Sequence, residues 1–99
     1  MAFSLLFTSS FERSLKNLDS HQRAIIARII KSLEIYYSNK CDISKVFETE
    51  TRFFYKKLRH DFYEAGVEGK LRIVLRKDGL NCVAILVGNH DQIKKFLSA

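Results

Sequence analysis

The sequence predicts an α+β fold of two layers, an antiparallel sheet of four to five strands with an N-terminal αα-hairpin on one face. Three observations lead there. Ile25, Ile26, Ile29, Ile30, Leu33, Tyr36 and Tyr37 recur at spacings of three and four, as on an amphipathic helix. Residues 53–59 (FFYKKLR), 70–76 (KLRIVLR) and 81–87 (NCVAILV) instead have the composition and short length of strands. Asp78-Gly79, between the last two runs, is a hairpin signal. Helices grouped first and strands grouped after them give a segregated α+β arrangement. At 99 residues the chain is expected to form one domain, 1–99. A domain of this size buries about 60–70% of its unfolded surface, enough for one two-layer core.

Taken in order, residues 3–8 (FSLLFT) read as a buried strand. Ser9 with Glu12 three residues on fits a capping box, and a first helix runs from there to about Leu18. Its apolar face holds Phe11, Leu15 and Leu18, and Arg13 and Lys16 lie opposite. Asp19-Ser20 marks a turn and a second N-cap. The isoleucine-rich helix covers residues 21–37, and Ser38-Asn39-Lys40 stops it. Residues 42–51 are mixed, with 44–47 as a short edge strand and 48–51 as a turn. Residues 53–59 form a strand whose alternation is imperfect, because Lys56 falls on the side of Phe54 and Leu58. An edge position, where a lysine snorkels, or a bulge accounts for that. Residues 60–69 (HDFYEAGVEG) are polar with two glycines and read as a ten-residue hairpin loop. Residues 70–76 alternate cleanly, and 81–87 are apolar on both faces, as in a central strand. Gly88-Asn89 ends that strand, and residues 91–97 form a short terminal helix with Asp91 at its start and Lys94 and Lys95 towards its end.

Charge narrows the function classes. The net charge is +6, and it is uneven: residues 70–99 hold 6 basic and 2 acidic side chains, against 5 and 6 in residues 41–69. Such an excess suits an anionic partner, nucleic acid or an acidic protein. No apolar run approaches the length of a membrane span. The N-terminus lacks the basic segment of a signal peptide, so a cytoplasmic protein is expected. Cys41 and Cys82 stand alone and are expected to be reduced thiols. His21, His60 and His90 have no zinc-ligand spacing, and neither a metal nor any other cofactor is expected.

In this order of elements, four segments resemble the RelE/ParE toxin superfamily. Ser44-Lys45-Val46-Phe47 stands where the family has a short strand, but lacks its glycine. Phe54-Tyr55-Lys56-Lys57-Leu58-Arg59 is similar to the family's Tyr-Lys-x-Lys-Leu-Arg strand. Lys70-Leu71-Arg72-Ile73-Val74-Leu75 is similar to its Gly-Tyr-Arg strand, and Ile85-Leu86-Val87-Gly88-Asn89-His90 to its glycine break after the last strand. The resemblance covers nearly the whole chain. It implies neighbouring first and last strands. It also implies the activity of the RelE branch, which is translation inhibition by cutting mRNA in the ribosomal A site without a metal. The implied partners are a cognate antitoxin protein, mRNA and the ribosome.

Metal-free RNA cleavage needs a deprotonated 2′-OH aligned on the adjacent phosphate, cations around the phosphorane oxygens, and a proton for the leaving 5′-oxygen. The resemblance puts Arg72 at the central arginine, as a phosphate clamp whose fork engages two oxygens. It puts Lys57 and Arg59 beside it on the adjacent strand, sharing an exposed face that Lys56 does not join. His90 falls where RelE members have arginine and some relatives histidine, and its reference pKa suits an acid or base near neutrality. Lys56, Lys70, Arg76 and Tyr55 are further RNA-binding candidates, Tyr55 by stacking on a base. His60 and Asp61 form a second acid–base option in the loop. Two departures stand out: Tyr55 occupies the position of the family's first lysine, and the C-terminal tyrosine is absent, with Lys94 or Phe96 nearby. Two other functions suit the same residues: a ParE-like inhibitor of DNA gyrase, and a non-toxic basic domain that binds RNA or protein.

Overall fold

The computed structural model describes residues 4–79 and 81–98. The chain runs β1 (Ser4–Phe7), α1 (Ser9–Lys16), α2 (Ser20–Ser38), α3 (Ile43–Phe47), β2 (Phe54–Arg59), β3 (Phe62–Gly66), β4 (Arg72–Asp78), β5 (Asn81–Gly88) and α4 (His90–Ser98). The strands form one sheet in the order β1-β5-β4-β3-β2. The meander β2 to β5 is antiparallel, and β1 joins β5 in parallel. The first and last strands are neighbours, as the family resemblance implies.

Capping chemistry sets the helix starts. Thr8, one residue before the expected cap, accepts a hydrogen bond from Phe11 N at 3.1 Å through its hydroxyl. That hydroxyl also donates to the Ile85 carbonyl at 3.3 Å, which ties the start of α1 to β5. Thr8 therefore outcompetes Ser9, because it serves helix and sheet together. Asp19 and Gln22 close a reciprocal capping box at the start of α2. Below that cap, Ile25, Ile26, Ile29 and Leu33 are buried against Ile73, Leu75, Cys82 and Ala84 of the sheet in one apolar core.

Three expectations change. Residues 4–8 of the 3–8 run are not buried as expected: β1 is an edge strand, and Leu6 and Phe7 are 48% and 43% exposed. Phe3 of that run lies outside the described residues. Residues 44–47 are helical rather than a strand. Asp42 accepts from both the backbone N–H and the hydroxyl of Ser44, at 3.0 and 2.6 Å, which starts a helical turn and seats Val46 in the core. The fifth strand is instead β3, inside the stretch read as a loop. Its glutamate, alanine and glycine look like loop composition, yet residues 64–66 are all buried. The loop between β2 and β3 shrinks to His60 and Asp61, with His60 at φ 52°.

The position of β3 alters the charged surface most. It lies between β2 and β4, so the two cationic strands are not neighbours but stand two strand spacings apart, about 10 Å.

Candidate functional site

Strand alternation sorts the cations onto two faces. Tyr55, Tyr63, Ala65, Ile73 and Leu75 face α2. Lys57 pairs with Tyr63 and alternates with Tyr55, so it lies on this helical side. Lys77 joins it, with its ammonium 5.9 Å from the centre of the Tyr37 ring. Phe54, Lys56, Glu64, Arg72, Val74 and Arg76 occupy the opposite face. A register shift between Lys57 and Arg59 sends Arg59 to that opposite face as well, where its guanidinium donates to the Leu97 carbonyl at the end of α4. Of the expected grouping, Arg59 therefore shares the Arg72 face and Lys57 does not. Lys56 is the β2 lysine that shares a site with Arg72, because it pairs with Glu64, whose carboxylate both cations approach.

Arg72 sits in a row built for it. Its partner on β5 is Gly88. On the other side the Ala65–Ile73 and Phe54–Gly66 pairs put Gly66 beside it. Gly66 carries no side chain, so the Phe54 ring leans across β3. A Cβ at Gly66 would come within 2.7 Å of that ring. The Arg72 guanidinium stacks on the ring, 5.0 Å from its centre. Arg72 Nη1 donates to Glu64 Oε1 at 2.6 Å, and the same oxygen is 3.6 Å from Lys56 Nζ. Arg72 Nε is buried and makes no hydrogen bond among the described residues. The fork expected to clamp two oxygens is thus half used, and the outer Nη edge is what remains for an anion.

Glu64 is the residue the sequence reading missed. It is 2% exposed and sits directly across from Lys56 on β2. A lone glutamate within a polar-looking stretch reads as loop. The one available signal is its alternation with Tyr63 and Ala65, which puts it on the side that Arg72 shares.

The remaining candidates divide by position. His90 is exposed, opens α4 and lies two residues past Gly88, at the same sheet end as Arg72. Asn89 and Gln92 cap that helix reciprocally, at 2.8 and 2.9 Å, and so hold His90 in its first turn. Lys70 is exposed in the turn before β4. Arg76 is exposed further along β4, across from Phe62 on the Arg59 side of the sheet. His60 and Asp61 occupy the tight turn beyond Arg59, at the far end of β2 from Phe54 and the Arg72 row.

Tyr55 is not poised to stack on a base. Its hydroxyl bonds that of Tyr37, and its ring lies among Tyr36, Tyr37 and Tyr63, with centres 4.8, 5.7 and 5.2 Å away. Tyr37 also reaches Cys82 Sγ at 3.5 Å. Burial of the neutral hydroxyls pushes both phenols well above their ordinary pKa, and burial raises the Cys82 thiol too. This polar knot sits under the end of α2, on the face away from Arg72.

No protein-family model matches the chain, and no curated protein matches it. Solved structures do match. A chain of the RelB–RelE antitoxin–toxin complex from Methanococcus jannaschii aligns with a TM-score of 0.65 at 24% identity, over 92% of this chain and 96% of that one. A copper-bound mutant toxin from Helicobacter pylori aligns with a TM-score of 0.59 at 13% identity, over 93% and 99%. A chain of the Escherichia coli DinJ–YafQ complex aligns with a TM-score of 0.58 at 11% identity, over 93% and 98%. With helices, strand order and sheet pairing in place along almost its whole length, this chain has the RelE-like toxin fold.

Proposed function

We propose that the protein is the toxin of a toxin–antitoxin pair and that it cleaves mRNA, with the Arg72 end of the sheet as its active site. The observation that carries this reading is the grouping of Lys56, Arg72 and His90 at one sheet end. Two cations lie on one face there, and an exposed imidazole follows the glycine that pairs with Arg72. The solved relatives support it in part, since they include toxin chains from complexes with antitoxins.

In the proposed reaction the ribose 2′-oxygen attacks the adjacent phosphorus. A 2′,3′-cyclic phosphate forms, the bond to the 5′-oxygen breaks, and that oxygen leaves with a proton. Arg72 and Lys56 offset the charge that builds on the phosphorane oxygens. His90 exchanges the proton, as an imidazole can near neutral pH. Lys70 and Arg76 hold flanking phosphates. Lys57 faces the other way and Arg59 is engaged with α4, so neither is assigned to the chemistry.

One observation favours a second reading. Arg72 already spends one nitrogen on a buried carboxylate, as a structural arginine would. That suits a ParE-like toxin which inhibits DNA gyrase and cuts no RNA. Induced expression in bacteria, with 5′-end mapping of a reporter mRNA, separates the two. The nuclease reading predicts new 5′ ends within the coding region and a rapid stop in translation. A growth arrest with altered plasmid supercoiling and no new ends contradicts it.

A further inference from the structure

Glu64 presents a question that the cleavage scheme leaves open: what a carboxylate does under a site meant for phosphate. At 2% exposed it is too deep to touch RNA. Its Oε1 instead takes Arg72 Nη1 at 2.6 Å and lies 3.6 Å from Lys56 Nζ. Lys56 is 59% exposed and Arg72 22%, so the carboxylate forms the floor and the two cations the roof. The guanidinium is held by two contacts, Glu64 at Nη1 and the Phe54 ring at 5.0 Å, and its Nε is buried. Gly66 keeps the ring in place, because any Cβ there would displace it.

We propose that Glu64 is a positioning residue for Arg72, and that it also sets the charge offered to a phosphate. The carboxylate fixes the guanidinium with its outer Nη edge turned to solvent. Two cations and one anion leave the cluster at +1 rather than +2. A single net charge still attracts a phosphate, but lets the cleaved strand go. The proposal deepens the RNA-cleaving reading of this face and rests on it.

The test uses Glu64→Gln, which keeps an acceptor oxygen and the volume but removes the charge, beside Glu64→Ala, which removes both. The first readout needs no RNA: the NMR signals of the Arg72 guanidinium. They are expected to show restrained rotation in the wild type and in Glu64→Gln, and free rotation in Glu64→Ala. The second readout is binding of a short single-stranded RNA as salt is varied. Glu64→Gln is expected to bind about threefold to tenfold more tightly at low salt. Its dependence of log Kd on log salt steepens by about 0.7, as for one more phosphate neutralised on a single strand. Free rotation of Arg72 in the wild type overturns the positioning claim. Unchanged affinity and salt slope in Glu64→Gln, with RNA bound, overturn the charge claim. Loss of cleavage in Glu64→Gln as complete as in Arg72→Gln, at unchanged RNA affinity, also overturns the charge claim. If neither protein binds RNA, the RNA reading is what has failed, and the guanidinium spectrum alone decides whether Glu64 positions Arg72.

Discussion

Arg72→Met is expected to lower folding stability by about 2–4 kcal/mol and, on the proposed function, to abolish RNA cleavage. The stability loss comes from Glu64, which is left buried with one lysine 3.6 Å away. Breaking a buried pair by removing one partner typically costs about 3–5 kcal/mol, and the partial exposure of Arg72 puts this site towards the low end. Replacing both partners removes that penalty. The double variant Arg72→Met with Glu64→Met is therefore expected to cost less than half the sum of the two singles in urea unfolding. Cleavage behaves differently: it stays lost in the double variant, because the cation is gone. Removing one charge-stabilising donor of this kind typically costs about a hundredfold to a thousandfold in rate. Recovery of both stability and cleavage in the double variant would make Arg72 a scaffold residue only. Additive costs would mean that the two side chains do not depend on each other.

Alkaline unfolding is the second large effect expected. Tyr37, Tyr55 and Cys82 all have folded-state pKa values raised by burial. Their stabilising contribution is fully present below the unfolded values, near 9 for the thiol and 10 for the phenols, and is lost as pH rises beyond them. In that range the unfolded chain sheds protons that the folded chain keeps. Each such group then removes up to about 1.4 kcal/mol per pH unit. Losses from three such groups cut into a typical stability of about 5–15 kcal/mol as pH rises. Cooperative unfolding is thus expected to begin between about pH 10 and 12, with phenolate absorbance rising in step with the loss of helical circular dichroism. Titration of all four tyrosines near pH 10 in a protein that stays folded would contradict this arrangement of the aromatic knot.

Much of this fold was legible because its signals are local. The isoleucine stripe of α2, the Asp19 cap, the Asp78-Gly79 turn and the apolar 81–87 run each carry their own period or turn chemistry, and each lies where it was read. What was not legible depends on partners distant in sequence. The 62–66 strand looked like a loop because Glu64 is satisfied by Arg72 and Lys56 from two other strands. The 44–47 helix looked like a strand because five residues are too few to show a helical period, and its start is set by the Asp42–Ser44 cap. The β1 run looked buried because its hydrophobicity is that of a core strand, while its place at the sheet edge is a matter of topology.

The candidate site followed the same rule. Arg72 and His90 were found from the resemblance, and they lie at one sheet end. Lys57 and Lys56 exchanged roles because β2 pairs with β3, which puts Lys56 across from Glu64 and Lys57 across from Tyr63, while the bulge after Lys57 moves Arg59. Gly66 and Phe54 are second-order parts of the site. They act only through the Arg72 guanidinium, so nothing in their own sequence neighbourhood marks them.

On the proposed function, RNA binds the sheet face that carries Arg72, not the face under α2. Titrating isotope-labelled protein with a short single-stranded RNA and following its amide and side-chain NMR signals tests that directly. The account predicts that the shifts gather at Lys56, Arg72, Lys70, Arg76 and residues 88–90, and leave Lys57, Lys77 and the Tyr37–Tyr55 knot unmoved. Shifts centred on Lys57, Lys77 and Tyr63, with Arg72 and His90 unmoved, would contradict it.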